Sequence, residues 1–232
     1  MTRREELAAG LAAVRSRIAT ACAAVDRDPE GVTLVVVTKF FPASDVRLLA
    51  DLGVAHVGEN RHQEAEAKAQ ECAELSLTWH FIGGLQSNKA AAVTAYADVV
   101  ESVDRTKLVA PLTRGAQQRG REVDVLLQVS LDPPGREGRA GAEPAALPGL
   151  AAAVADAEGL RLRGLMAVAP LGEDPAPAFA RLAAIHHDLL LEHPAATWLS
   201  AGMSGDLEQA VQAGATHVRV GSAVLGSRPA VQ

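Results

Sequence analysis

Aromatic side chains make up only 3% of this 232-residue chain, so Ala, Val and Leu must fill its core. Cysteine is nearly missing. Cys22 and Cys72 have neither metal-ligand spacing nor a CxxC pair, which excludes a disulfide scaffold and fits buried thiols of a cytosolic protein. Positive charge is not in excess: the net charge of −6 offers no basic face for nucleic acid. No apolar run approaches membrane-spanning length and no early block resembles a signal peptide, so a cytoplasmic protein without membrane contact is expected. What remains is 48% hydrophobic residues, enough for one large α/β domain or two small ones.

Along the chain, short β-branched runs alternate with helical patterns. Leu7, Leu11, Val14, Ile18, Cys22 and Val25 predict an amphipathic helix from the start to about residue 25. Strands are predicted at 32–39, 56–58, 77–83, 99–103, 123–130, 162–168, 197–200 and 216–220. Helices are predicted between them, beginning with one capped by Ser44 and stopped by Gly53. Others span 61–75, 88–96, 106–119, 150–157, 176–191 and 206–213. Residues 131–149 hold four prolines and four glycines and read as a long loop, a flexible segment or a lid. Such alternation implies parallel strands joined by right-handed crossovers. The expected fold is a single (β/α)8 barrel over residues 1–232 with an extra N-terminal helix; an open doubly wound sheet competes, without a GxGxxG to support it.

The run Val32 to Lys39 reads as a strand buried on both faces that ends on a lysine, broken by Phe40-Phe41-Pro42. A lysine there can lie in a dry pocket, where burial favours the neutral, nucleophilic amine; a salt-bridged strand end is the plainer account. In a barrel the active site lies at the carboxyl ends of the strands, with phosphate often held after strands seven and eight. The loops there read Ser200-Ala201-Gly202-Met203-Ser204-Gly205-Asp206 and Arg219-Val220-Gly221-Ser222-Ala223. Each joins glycine to a serine hydroxyl, which suits an anion as well as ordinary turns and caps. An amine and a phosphate cradle at one mouth serve two classes: pyridoxal 5′-phosphate (PLP) held as a Schiff base, or a sugar phosphate in a lysine-dependent aldolase.

Several motifs occur in one order: Thr38-Lys39, Gly58-Glu59-Asn60, Trp79 to Gly83 with Leu85-Gln86-Ser87-Asn88-Lys89, Gly164 to Ala167, Leu199 to Ser204, and Arg219-Val220-Gly221. Together they resemble the YggS/PROSC family, the pyridoxal phosphate homeostasis proteins, over residues 7 to 228. The resemblance implies the barrel of the alanine racemase N-terminal domain without that enzyme's second domain, and covalent PLP on Lys39. It implies Ser204, Gly221 and Ser222 at the phosphate, Arg219 at the pyridine nitrogen, and Asn60 and Met203 along the ring. Many relatives have threonine where Ser222 stands; both carry a hydroxyl. Members are not credited with robust catalysis. A monomer that passes PLP to apoenzymes or free amino acids is therefore expected, with a weak racemase or lyase as the alternative.

Two chemical arguments support a holder rather than a catalyst. A cationic arginine beside the ring nitrogen disfavours its protonation and makes the ring a poor electron sink. A racemase also needs a second acid/base, and the chain's single tyrosine, Tyr96, falls late in a helix. Metal is not expected: His62 and Glu64 are two apart on a helix and do not share a face with each other. They read as solvated helix surface, and His186-His187 as exposed helix. His80 alternates with Trp79 and Phe81 and could face the lumen or the helices; Lys89 has no assigned mechanism. Departures from the family are Gly84, where many relatives have proline, arginine or histidine, and Arg136-Glu137-Gly138 with Arg139-Ala140-Gly141, near where relatives show lysine-x-glycine.

Overall fold

The computed structural model describes residues 1–132 and 140–227. Eight strands form a closed barrel in chain order: β1 (Thr33–Val37), β2 (His56–Glu59), β3 (Thr78–Phe81), β4 (Val99–Val103), β5 (Val123–Gln128), β6 (Leu160–Met166), β7 (Trp198–Ser200) and β8 (His217–Val220). All neighbouring pairs are parallel, and β8 closes onto β1 with Val35 opposite Arg219. Around them stand helices α1 (Arg3–Ala23), α2 (Ala43–Asp51), α3 (His62–Glu71), α4 (Ala90–Val93), α5 (Val109–Arg119), α6 (Leu147–Ala155), α7 (Pro175–Glu192), α8 (Leu207–Gln212) and α9 (Ser222–Leu225), with short 3₁₀ turns.

The apolar mass lies between the strands and their helices. Leu7, Leu11, Val14 and Ile18 of α1 pack in one cluster with Val36, Leu49, Val218 and Val224. Leu112, Leu127, Val154, Leu165 and Leu182 anchor the other large cluster. Each such side chain, fully withdrawn from water, contributes roughly 1.5–3 kcal/mol. Inside the barrel the apolar layer is small: Val99, Leu126 and Met166. Polar side chains occupy much of the remaining lumen, where branched aliphatic residues usually stand.

Several local expectations are corrected. Ser44 does not cap α2; Pro42 occupies that position, pre-set for the first turn by its fixed φ. The long loop is shorter, because Val129 bridges to Ala142 and a 3₁₀ turn at Pro144–Ala146 leads directly into α6. Residues 133–139, including Arg136-Glu137-Gly138, lie outside the described residues. The tail folds into α9. His186 is buried, not exposed, its Nε2 lying 2.8 Å from the Ala196 carbonyl. Cys22 and Cys72 are free and buried, as expected.

Candidate functional site

β1 ends at Val37, opposite Gly58, and the Thr38 N–H donates to the Gly58 carbonyl at 3.0 Å. Two residues further, past the end of the strand, stands half-buried Lys39. The chain then turns sharply, with Phe40 in the left-handed region at φ 71°, a conformation that costs a bulky residue of order 1–3 kcal/mol. Six hydrogen bonds hold the turn. The Phe41 N–H donates to the Thr38 carbonyl at 3.0 Å, and the Phe40 N–H to Glu64 Oε1 at 2.5 Å. Buried Lys68 donates to the Thr38 carbonyl at 2.8 Å, to Glu59 Oε1 at 2.8 Å and to Glu64 Oε1 at 2.7 Å. The Thr38 hydroxyl also donates to Glu59 Oε1, at 2.7 Å. Glu59 Oε2 is left buried without a partner. Burial pushes the Glu59 carboxyl up, against the pull of Lys68 and Thr38.

Beyond β8, which pairs with β1, the loop after β7 passes through Gly202 at φ 89°, where a Cβ would meet that of Ala210 at 2.6 Å. Only glycine fits there, and the turn delivers Met203 and Ser204 to the rim. The Ser222 hydroxyl donates to the Ser204 hydroxyl at 3.2 Å, and the Ala223 N–H to the same oxygen at 3.4 Å. Lys39, Phe40, Met203, Ser204, Arg219, Gly221 and Ser222 thus line one cavity of about 280 Å³. Of the seven residues expected at the site, six meet there. Asn60 lines the adjoining cavity with His62, Gln86 and Lys89, and its Oδ1 is buried without a partner. A Cβ on Gly83 would lie 2.1 Å from the Asn60 carbonyl, so the strand-three loop can seat against Asn60 only as glycine.

Arg219 is buried at the floor. One Nη donates to the Ser200 hydroxyl at 2.6 Å and the other to the Ala167 carbonyl at 2.8 Å. Burial draws its guanidinium below the usual value while Glu101 and Asp206 oppose that, and an arginine so paired stays cationic. Ser200 donates to Glu101 Oε2 at 2.6 Å, and His80 Nδ1 lies 2.7 Å from Glu101 Oε1. His80 therefore faces the lumen, which decides the alternative left open by strand alternation. Burial works against the Glu101 charge, but His80, Arg219 and Ser200 together hold its carboxyl down at about 2.

Lys68, Glu64, Glu59, Glu101 and Ser200 were absent from the expected set. Glu64 and Lys68 had a visible signal, the i,i+4 spacing of a helical ion pair. Glu101 had another, a charged residue inside the fully buried strand Val99–Val103. Glu64 is accordingly not solvated surface. His62 stacks on Tyr96, and among the described residues no cluster of His, Cys, Asp and Glu could hold a metal.

The mouth has the donors that PLP needs. Two hydroxyls and a backbone N–H, a lysine and a guanidinium stand around one cavity. The small cavity admits a single substituted ring with one phosphate and has no room for a dinucleotide. The fold and site thus define a barrel with an amine and an anion cradle at the carboxyl ends of its strands, and the family model "Alanine racemase, N-terminal domain" matches residues 10–229. Within that fold, the chain belongs to the family of the pyridoxal phosphate homeostasis proteins. It is 44% identical to the protein of that name from Mycobacterium tuberculosis (strain ATCC 25618 / H37Rv), over 97% of this chain and 94% of the relative. It is 38% identical to the Escherichia coli (strain K12) protein, over 96% of this chain and 97% of the relative. Among solved structures, PipY of Synechococcus elongatus PCC7942 with PLP bound matches with a TM-score of 0.83 and 38% identity, covering 95% of this chain and 100% of that one.

Proposed function

We propose that this chain binds PLP covalently through Lys39 and serves in intracellular vitamin B6 homeostasis as a cytoplasmic carrier, without robust catalysis. The observation that carries the reading is the meeting of Lys39, Ser204, Ser222 and Arg219 on one small cavity. The PLP in the PipY structure and the names of the relatives support it. No helix among the described residues is long and apolar enough to cross a membrane.

When bound, PLP supplies an aldehyde that a lysine amine can take and a second amine, on a free amino acid or an apoenzyme, can reclaim. The chain's own residues arrange the rest. Lys68, Glu64 and Glu59 hold the turn that aims Lys39 into the cavity. Ser204, Ser222 and the Gly221 backbone would hold the phosphate, meeting its negative charge with hydrogen-bond donors. Met203, which lines the cavity, would flank the ring. Arg219, held by Ser200 and Ala167, would face the ring nitrogen and, kept cationic, would disfavour a proton there. Tyr96, the single tyrosine, lines a different cavity at the amino ends of β3 to β5 with Thr78, Val99 and Asp124, and burial raises its hydroxyl's pKa. A phenol so placed supports the carrier reading over racemisation.

The test is the absorbance spectrum of the purified protein titrated with PLP, beside Lys39→Ala. The wild type is expected to gain a visible band of unit stoichiometry, and the variant to lack it. An identical band in both removes Lys39 from the linkage. Amino-acid-dependent turnover by the loaded wild type would instead favour the racemase or lyase reading.

A further inference from the structure

We infer that Glu101 and His80 are positioning residues for Arg219: across the barrel lumen they fix the guanidinium that faces the cofactor ring. The inference deepens the reading above and rests on it for the identity of the ring. β4 and β7 are not neighbours in the sheet, so the 2.6 Å bond from Ser200 to Glu101 must cross the lumen. Four strands contribute successive links. Arg219 of β8 donates to Ser200 of β7, Ser200 donates to Glu101 of β4, and Glu101 Oε1 faces Nδ1 of His80 on β3 at 2.7 Å. His80 Nε2 lies 3.0 Å from Nδ1 of His56 on β2, which lines a cavity at the opposite, amino-terminal end of the barrel. Arg219 Nη1 is itself 3.7 Å from Glu101 Oε2.

The chemistry of the links fixes their direction. An ionised carboxylate only accepts, so His80 carries a proton on Nδ1 and donates it to Glu101. Arg219 and the Ser200 hydroxyl both approach the other oxygen. With both oxygens engaged, Glu101 is held in place, and Ser200, its proton given to Glu101, turns a lone pair to Arg219. His217 lies near this chain, with ring centroids 6.2 Å from His80 and 4.4 Å from Trp198, but neither pairs with Glu101 nor touches Arg219. Burial is the main reason its pKa falls to about 3, as it is for His56 at about 4, so both are neutral bystanders to the charge balance.

A buried ion pair of this kind is not the stablest filling for a barrel. Well-packed aliphatic residues of similar volume commonly match or exceed it. The network has a further use where it ends, at the one cation that lines the small cavity's floor and is withdrawn from water. Arg219 lies on a short strand with a long, flexible side chain, and its remaining N–H groups point usefully only if the other two are tied. The Ala167 carbonyl ties one; Glu101 and His80 fix Ser200, which ties the other, without touching the cavity: neither is among its lining residues.

The experiment compares Glu101→Gln, His80→Leu and His80→Gln with Arg219→Ala and with Leu126→Ala, a change in the lumen's apolar layer that touches no link. In cofactor-free protein, the Arg219 guanidinium protons are followed by NMR. They are expected to exchange slowly in the wild type, His80→Gln and Leu126→Ala, and to lose protection in Glu101→Gln and His80→Leu. His80→Gln retains a donor for Glu101 and is the conservative rescue. In PLP-loaded protein, Glu101→Gln and His80→Leu should shift the visible band in the direction of Arg219→Ala and weaken PLP binding about tenfold. Leu126→Ala should leave the band where it is. Unchanged guanidinium protection and an unmoved band in Glu101→Gln and His80→Leu would overturn the inference. So would an equal shift in Leu126→Ala, which would reduce the effect to loosened packing. A wild type that gains no band with PLP sinks the cofactor reading instead, and the guanidinium signals still decide whether Glu101 and His80 hold Arg219.

Discussion

Glu59 at the end of β2 and Glu101 within β4 are the same residue, equally buried, yet they hold their protons in opposite ways. Glu59 receives Lys68 and Thr38 on a single oxygen, its second oxygen has no partner, and burial wins: its pKa rises. Glu101 has His80 on one oxygen and Ser200 on the other, with Arg219 behind, and its pKa is held at about 2. Burial alone does not decide the charge of a carboxylate; the number of oxygens supplied with donors does. The two sites serve the two sides of the same mouth. The Glu59 side bends the chain at Lys39, and the Glu101 side steadies Arg219.

The comparison breaks most visibly at Glu101→Gln. Removing one partner from a buried ionic network strands Arg219, so unfolding by urea at pH 7 should show a loss of about 3–5 kcal/mol. Because the folded pKa lies below the ordinary value of 4.5, this contribution is present above that value and fades as pH falls toward 2. A cost under about 1 kcal/mol at pH 7 would mean that Glu101 carries no such load. Lys68→Met should cost about 3 kcal/mol, since Glu59 and Glu64 lose their shared cation. Adding Glu59→Gln to it should recover part of that loss, and a strictly additive pair would refute the coupling.

Glu59→Gln alone sharpens the contrast by its sign. A carboxyl whose pKa is raised in the fold stabilises below its unfolded value and loses that contribution as pH rises through the folded one. The variant should therefore gain on the wild type as pH rises above the ordinary carboxylate range, the reverse of Glu101→Gln. Parallel pH trends would erase the distinction. The smallest effect belongs to Phe40→Gly. Relief of the left-handed backbone offsets the loosened chain, leaving stability within about 1 kcal/mol while PLP binding weakens through a less firmly held Lys39.

Much of this architecture was legible in the residues. Strand-helix alternation and the placement of Lys39, Ser204 and Ser222 at strand ends needed only local pattern and the rule that barrels act at their carboxyl mouths. The internal pairings were not. Which face His80 presents depends on register, and a slip of one residue exchanges lumen for helix layer. The Ser200–Glu101 bond joins residues 99 apart across a lumen that exists only once the barrel closes. His186 read as surface because its partner, the Ala196 carbonyl, arrives from beyond the end of its own helix. Asn60 was expected on the ring and lines a separate cavity, its backbone seated against Gly83.

The most direct measurement is borohydride reduction of the PLP-loaded protein followed by peptide mass mapping. One phosphopyridoxyl group per chain on the peptide containing Lys39 is the predicted result. A mark on Lys68 or Lys89 in its place, or none at saturating PLP, would contradict the account.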